Sequence, residues 1–409
     1  MPSADTPERR RSIGRQVAYW RNRRSLTRQQ FADLVGRSLS WVDKVESGER
    51  ALLRLPLLEQ VASVLQISVE TLTDARAAQR ATSCVDPAEV QSIRVALGQY
   101  PGLAARDAAP VELAAVRRQA DYLDHAWLAS HFTTVAQHLP QLMADAQRAV
   151  LSAAPDQTVE LHRVLVTTYR LASSMLLKFE VNDVAWLAAD RAIQTALKVD
   201  DTWSLARATR SVARAMSSAQ QQTEAVTALL AMGDRMRDET NRNEHDLLAI
   251  YGMLYLAASI TAAGQGDASL AADMHQEALA AAERFQPHYS AHRTYFGLPN
   301  VDIHRVSALV RLHQPGQALS FARGIDRAAV AALPPERQVN FLLDLTSAYN
   351  AIGHQQQAVS ALGRAERIAP EEVRCRPVAH ALLRLLLETT HGATEQLARQ
   401  MATRAGVSE

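Results

Sequence analysis

The sequence predicts an all-α chain, in which a small five-helix module is followed by a long solenoid of stacked helical hairpins. Three observations predict it. Alanine and leucine dominate a hydrophobic content of 47% while aromatics reach only 5%, a balance that favours close-packed helices over sheets. Two short helical patterns meet at a glycine between Leu26 and Gly48. Beyond residue 110, pairs of small residues recur at helical-repeat intervals. At 409 residues the chain is also too long for one small domain, so two or three units are expected.

Residues 1–11, MPSADTPERRR, are charged and lack apolar periodicity. They read as a disordered arm whose Arg9, Arg10 and Arg11 either touch DNA or form a solvated tail. A first helix follows, with Ile13, Val17 and Trp20 inward at helical spacing and Arg15, Arg21, Arg23 and Arg24 outside. Thr27 can cap the second helix, and Gln30 three residues on completes a capping box. Phe31, Ala32 and Val35 form its inner face, and Gly36 ends it in a left-handed conformation that glycine adopts freely. Ser38 caps a third helix at once, with Val42 and Val45 as its buried seam. Leu58, Val61, Ala62 and Leu65 mark a fourth helix, and Ser68 caps a short fifth ending near Leu72. Two helices held at a steep angle by a short glycine turn make a helix-turn-helix, whose second helix enters the DNA major groove.

Leu26-Thr27, Phe31-Ala32, Val35-Gly36, Ser38, the Val42/Val45 pair, and Val45-Glu46-Ser47-Gly48 followed by Arg50 carry a family resemblance. Over residues 12–75 the chain resembles the Xre-type (Cro/phage-repressor-like) helix-turn-helix. The resemblance implies a DNA-binding set of Arg28, Arg37, Ser38, Leu39, Ser40, Trp41 and Lys44. Leu39, Ser40, Trp41 and Lys44 project outward in that register. Ser40 would meet a base edge, Leu39 a thymine methyl and Lys44 a guanine or phosphate, with Arg28 and Arg37 on phosphate. Leu39 and Trp41 stand where polar readers are common elsewhere, so direct readout is expected to be sparse. Trp41 has covering the core or packing on sugar-phosphate as its alternative roles, and Asp43 is expected to turn from phosphate toward an arginine. Charge agrees with this reading. From Arg9 to Arg54 there are twelve basic and four acidic residues, whereas the chain from Leu55 onward carries a net −5.

Residues 76–110 read as a linker containing one helix at about 87–98 and a PGL break. The chain from 111 to 390 then reads as continuously helical, with 391–409 as a tail. Asn340 to Pro370 holds the clearest repeat: Leu342, Leu345, Ala348, Tyr349, Gly353, Ala358, Leu362, Ala365 and Pro370 sit at the offsets of a tetratricopeptide repeat. Ala185, Ala189 and Ala192 anchor a weaker copy; Ala225, Leu229 and Met232 another; Ala271 with Ala278, and Ala318 with Ala322, two more. Six or seven hairpins are implied, stacked into a tetratricopeptide-like α-solenoid with a concave face. An unrelated helical bundle is the alternative.

On that inner face Arg207, Arg210 and Arg214 share one side of a helix, and Arg170 and Lys178, with Ser174 between them, occupy the helix before. Such a cationic strip suits a carboxylate or an acidic peptide. A solvated face, or pairing with Asp190, Asp200 and Asp201, accounts for the same residues. Asn300, His304, Ser307, Asn340, Ser347 and Asn350 are uncharged polar groups on predicted inner helices, able to hold a peptide backbone. Caps and loop contacts explain the asparagines equally, and a structural role explains His304. The candidate effector-binding set is therefore Arg170, Lys178, Arg207, Arg210, Arg214, Asn300, His304, Asn340 and Asn350.

Enzyme signatures are missing from the sequence. GQGD at 264–267 lacks the Lys-Ser/Thr of a phosphate-binding loop, and the HxxxH spacing at His288 and His292 has no accompanying glutamate. No nucleophile elbow or catalytic carboxylate pair is visible, and neither a cofactor nor a metal is implied. Cys84 and Cys375 are isolated. The charged N-terminus leads into no apolar run, so no signal peptide is expected. Leu247 to Gly266 has twenty residues without a charge, long enough to cross a membrane. Tyr251, Tyr255, Ser259, Thr261 and several glycines dilute it, so a helical hairpin is expected and the chain reads as cytoplasmic.

As a whole the chain resembles large Xre-family regulators of actinobacterial type and, more distantly, the peptide-pheromone receptors of other Gram-positive bacteria. That resemblance implies a homodimer, joined through the repeats, on a double-stranded operator with two half-sites. A peptide or small-molecule effector in the solenoid would change the spacing of the DNA-binding heads. The alternative is a constitutive DNA-binding scaffold whose repeats bind a partner protein or drive oligomerisation.

Overall fold

The computed structural model describes residues 6–24, 26–52, 54–74, 84–100, 111–240, 245–284 and 294–407, and divides into two compact units, Met1–Glu89 and Val90–Glu409. The PGL break, the HxxxH pair and most of the linker lie outside the described residues.

The N-terminal unit contains α1 (Pro7–Arg23), α2 (Arg28–Val35), α3 (Leu39–Glu46), α4 (Leu55–Leu65) and α5 (Val69–Thr73). Its local chemistry follows the caps. Thr27 Oγ1 accepts from the Gln30 amide at 3.2 Å, and Gln30 Oε1 accepts from the Thr27 amide at 2.9 Å. Gly36 is left-handed, at φ 65° and ψ 39°, and Ser38 Oγ accepts from the Trp41 amide at 3.2 Å. Helix α1 starts earlier than expected. Pro7 opens it, and Thr6 caps it by accepting from the Arg9 amide, so residues 7–11 are helical and not an arm. That turn faces largely outward and so carries no apolar periodicity to read. Ile13, Val17, Trp20, Phe31, Val35, Val42, Val45 and Leu65 fill the core. At Gly14 a Cβ would lie 2.3 Å from the Val45 carbonyl oxygen, so α1 crosses α3 at backbone contact.

Helix α6 (Pro87–Leu97) spans the division between the units. Among the described residues of the second unit, seven helix pairs follow. The first four are α7 (Leu113–Leu128) with α8 (Phe132–Leu151), α9 (Thr158–Lys178) with α10 (Asn182–Ala196), α11 (Thr202–Ser218) with α12 (Gln222–Thr240), and α13 (His245–Gly264) with α14 (Ala268–Glu283). Then come α15 (Leu298–Arg311) with α16 (Pro315–Arg323), the short α17 (Arg327–Ala331), and α18 (Pro335–Ala351) with α19 (Gln355–Ile368). The short α20 (Pro370–Arg374) precedes α21 (Pro377–Thr389) with α22 (Gly392–Ala405).

Six of the pairs turn in the same way. Ser130, Glu180, Gln220, Gly266, His313 and Gly353 all have φ between 56° and 81°, each two residues before the second helix of its pair. The next amide then bonds back five residues, as in His131 to Ala126 at 2.8 Å, Val181 to Leu176 at 2.9 Å and His354 to Tyr349 at 2.9 Å. This is the bond that closes a left-handed helix terminus. Only two of the six positions are glycine, so the repeat is weakly written in sequence where it is regular in structure.

The alanines that mark the repeats sit where helices meet: Ala185, Ala189, Ala192, Ala225, Ala271, Ala278 and Ala318 are each at most 1% exposed. Helix α13 is buried among its neighbours, with 78% of its most apolar window inside the unit, which is how a helix apolar on all sides serves as a core element. The expected C-terminal tail is instead α22, which places Ala398, Met401 and Ala402 in one cluster with Leu362 and Leu383. Its polar outer face had masked the short apolar stripe.

Candidate DNA-binding surface and repeat-domain cavity

Helix α3 is held from behind and bare in front. Arg37 and Ser38 in the turn, and Leu39, Ser40 and Lys44 on the helix, are exposed, Leu39 to 42%. Trp41 departs from the outward position expected of it: it is 6% exposed and packed in the core with Val42 and Val45. Positions 41, 42 and 45 share the inner face of a helix that starts at Leu39, and the indole has too much apolar surface to be left in water. The outer face is thus Leu39, Ser40, Asp43 and Lys44.

Glu46 anchors this helix. Its Oε1 accepts from Arg21 Nε at 2.6 Å and its Oε2 from Arg28 Nε at 2.9 Å, while Arg21 Nη1 also donates to the Leu26 carbonyl at 2.7 Å. Burial pushes the Glu46 carboxyl up, but the bonds from Arg21 and Arg28 outweigh it and hold the group below the usual carboxylate range. Arg28 lies 3.5 Å from Asp43 as well, the arginine partner that Asp43 was expected to have. Arg28 therefore stands at the edge of α3 already engaged by two carboxylates, though its side chain remains 55% exposed. Glu46 appears in the sequence only as part of a motif. Its bond to Arg21, 25 residues away, has no local signal.

The second unit holds a half-open cavity of about 560 Å³. Six of the nine predicted effector residues line it: Arg170, Lys178, Arg210, Arg214, His304 and Asn340. The other three are elsewhere. Arg207 lies over the Trp203 ring at 4.3 Å and borders a separate void of about 40 Å³. Asn300 is fully buried, with its amide nitrogen 3.4 Å from Met253 Sδ. Asn350 accepts from Thr389 Oγ1 at 3.0 Å, tying α18 to α21. Sequence reasoning missed Arg337, Arg376, Glu336 and Asp344, which also line the cavity; Glu336 and Arg337 precede the repeat recognised from Asn340 onward, Asp344 is not one of its marker positions, and Arg376 lies between α20 and α21.

Most of the charge in this cavity is already matched. Arg170 pairs with Asp124 at 2.5 Å, in place of the aspartates at 190, 200 and 201. Lys178 Nζ lies 2.6 Å from Glu372 and 3.1 Å from Glu336, and over the rings of Trp127 and Phe132 at 4.8 and 4.7 Å. Burial pulls the Lys178 ammonium down and the two glutamates oppose that. Arg337 pairs with Glu336 at 2.7 Å and Arg376 with Glu372 at 2.5 Å. Ser130 donates to Glu372 at 3.0 Å, and the Thr133 amide to Glu371 at 2.9 Å. The first two helix pairs are thereby bound to α18 and α20, and the solenoid closes around the cavity.

Three lining cations, Arg210, Arg214 and the exposed Arg311, form no ion pair among the described residues; Arg311 donates to Ser307 Oγ and acts on Asp344 through space. Among the described residues neither Arg210 nor Arg214 reaches a carboxylate; Arg214 donates to Ser174 Oγ at 3.1 Å, and Arg210 Nε has no hydrogen-bond partner. Burial, with the charges of Arg214, Arg337 and Arg170, drives the Arg210 guanidinium far below its ordinary value. Burial likewise brings Arg214 down to about 10, against the pull of Glu336. Both side chains are ringed by protein yet still partly accessible through the cavity. A guanidinium stays protonated at neutral pH, so the result is two confined positive charges. His304 donates from Nδ1 to the Asn300 carbonyl at 2.7 Å; burial and then Arg337 lower it to about 3, keeping it neutral.

Residues 12–75 match the family model for a helix-turn-helix domain. No curated protein sequence matches the chain. Among solved structures, the chain is similar to Bacillus thuringiensis PlcR in complex with the peptide PapR7 and DNA. That likeness has 11% sequence identity and a TM-score of 0.37, over 88% of this chain and 99% of that one.

Proposed function

We propose that this chain, which carries an N-terminal helix-turn-helix domain, is a cytoplasmic transcriptional regulator that binds DNA as a homodimer and responds to an effector in its repeat domain. The observation that carries the DNA half is α3, which presents Leu39, Ser40 and Lys44 to solvent from a unit rich in arginine. In this geometry α3 lies in the major groove, with Ser40 and Leu39 at base edges, and Lys44, Arg37 and the exposed Arg28 near phosphates. One module of this size covers little DNA, so two half-sites read by a dimer supply the specificity. The second unit provides the dimer contact.

The effector half is supported by the cavity and its unmatched Arg210 and Arg214. An effector acts only if it binds two arrangements of the dimer with different affinity. A constitutive scaffold is the second reading, favoured by a groove of about 520 Å³ between α16 and α19, lined by Leu319, Ile325, Val330, Phe341, Leu345 and Tyr349. The deciding experiment selects an operator from random duplexes, then measures its affinity with and without cell extract. A change in affinity supports the regulator; indifference to extract, with no co-purified small molecule by mass spectrometry, supports the scaffold. Failure to select any duplex removes both.

A further inference from the structure

The carboxylates inside the cavity do not cancel the Arg210–Arg214 pair. Glu336 is already engaged by Lys178, Arg337 and the Asn340 amide. The cations that act on Asp344 are Arg311 and Arg376. Arg210 and Arg214 are one turn apart on α11, so their side chains leave the helix as neighbours. A single carboxylate neutralises one of two such charges, whereas a phosphoryl group offers several oxygens and two charges to a pair of guanidiniums.

The amides that would hold a peptide backbone are not available. Asn340 uses its nitrogen on Glu336 and its oxygen on Arg376, at 2.8 Å each, and Asn300 and Asn350 lie outside the cavity. The volume is that of a small-molecule site. The cavity is not wholly polar, because Leu177, Ile260 and Phe341 contribute an apolar wall.

We propose that this cavity binds a compact organic dianion of the phosphate-monoester class, its phosphoryl oxygens on Arg210 and Arg214 and its organic part against Leu177, Ile260 and Phe341. In the regulator reading above, on which this rests, the dianion is the effector. Binding relieves the repulsion between two confined guanidiniums.

Isothermal titration of the full chain in a phosphate-free buffer at pH 7.5 tests this with phenyl phosphate, phenyl sulfate and inorganic phosphate. Phenyl phosphate binds once per chain. Phenyl sulfate has the same shape with one charge and binds at least about tenfold more weakly; inorganic phosphate lacks the ring and is also weaker. Arg210→Gln and Arg214→Gln each weaken phenyl phosphate at least about tenfold. Their ligand-free melting temperatures are equal to or above that of the parent, because each removes a confined like charge. No binding of phenyl phosphate, equal binding of phenyl sulfate, or unchanged binding in Arg210→Gln overturns the dianion site. The regulator reading fails separately. If extract shifts operator affinity while phenyl phosphate does not bind, the ligand class is wrong and sensing stands. If phenyl phosphate binds through Arg210 but neither it nor extract changes operator affinity, the site stands and sensing falls.

Discussion

The Lys178 ammonium lies 2.6 Å from Glu372 Oε1, joining α9 to α20 across 194 residues of sequence. Glu336, 158 residues away on α18, lies at 3.1 Å. This one cation therefore links helix pairs that the chain order keeps apart, and it does so at the wall of the central cavity.

Replacing Lys178 with methionine leaves Glu336 and Glu372 buried with less positive charge, even though Arg337 and Arg376 remain. Loss of one partner from a buried pair costs roughly 3–5 kcal/mol, and the remaining arginines should bring this to about 2–3 kcal/mol. Urea unfolding of the repeat unit measures it. Adding Glu372→Gln to Lys178→Met should recover part of the loss. A loss within error would mean that the pair does not hold the closure together.

The shared left-handed turn makes a second prediction. Glu180 and Gln220 occupy positions with φ near 60°, where a Cβ costs about 1–2 kcal/mol. Glu180→Gly and Gln220→Gly should each stabilise the repeat unit by about 0.5–1 kcal/mol, while Gly353→Ala should weaken it similarly. Ser130 is unsuitable for this test because its hydroxyl bonds Glu372. Thermal melts of the three variants decide the point.

Stability should fall with acidification before the carboxylates titrate. Burial, then Arg305, lowers His275 to about 4, and burial lowers His304 to about 3. Both imidazoles stay neutral in the fold while the unfolded chain takes up protons below about pH 6.5. The stability they contribute is complete above pH 6.5 and is lost as pH falls to about 4 for His275 and about 3 for His304, at about 1.4 kcal/mol per pH unit for each proton. His275→Gln should flatten the slope of urea stability against pH by one proton. Glu46, Asp201 and Glu366 are held below their usual range, so their losses come at lower pH.

Trp41 and Lys44, three residues apart on α3, should respond oppositely. Trp41→Ala removes a buried indole, costs about 3–5 kcal/mol and unfolds the N-terminal unit. Lys44→Ala should leave its melting unchanged, weaken operator binding and reduce the salt dependence of binding by about one charge. Combined with Ser40→Ala it should abolish binding. Unchanged binding in a gel-shift titration of the double variant would remove both contacts from the interface.

The elements of the N-terminal unit were readable because their signals are local. Thr27, Gln30, Gly36 and Ser38 act within four residues of themselves, and Val42 and Val45 need only the helical period. The start of α1 and the helix α22 were not readable, because an exposed polar turn and a short apolar stripe leave little periodic pattern. The family register set Trp41 outward, whereas helical spacing puts it one turn from Val45, on the face that packs against α1 and α2.

By itself, the sequence determined that the chain is helical, where the helix-turn-helix lies, that small residues bring repeated helices together, and that Arg210 and Arg214 share one helix face. Tertiary structure alone decided which charges are matched. Arg170 found Asp124, 46 residues back, and Lys178 found Glu336 and Glu372, while no carboxylate among the described residues came within reach of Arg210 or Arg214. Helical spacing acts over a few residues. Ion pairing across 46 to 194 residues depends on how the stacked hairpins curve and close, which no local pattern encodes.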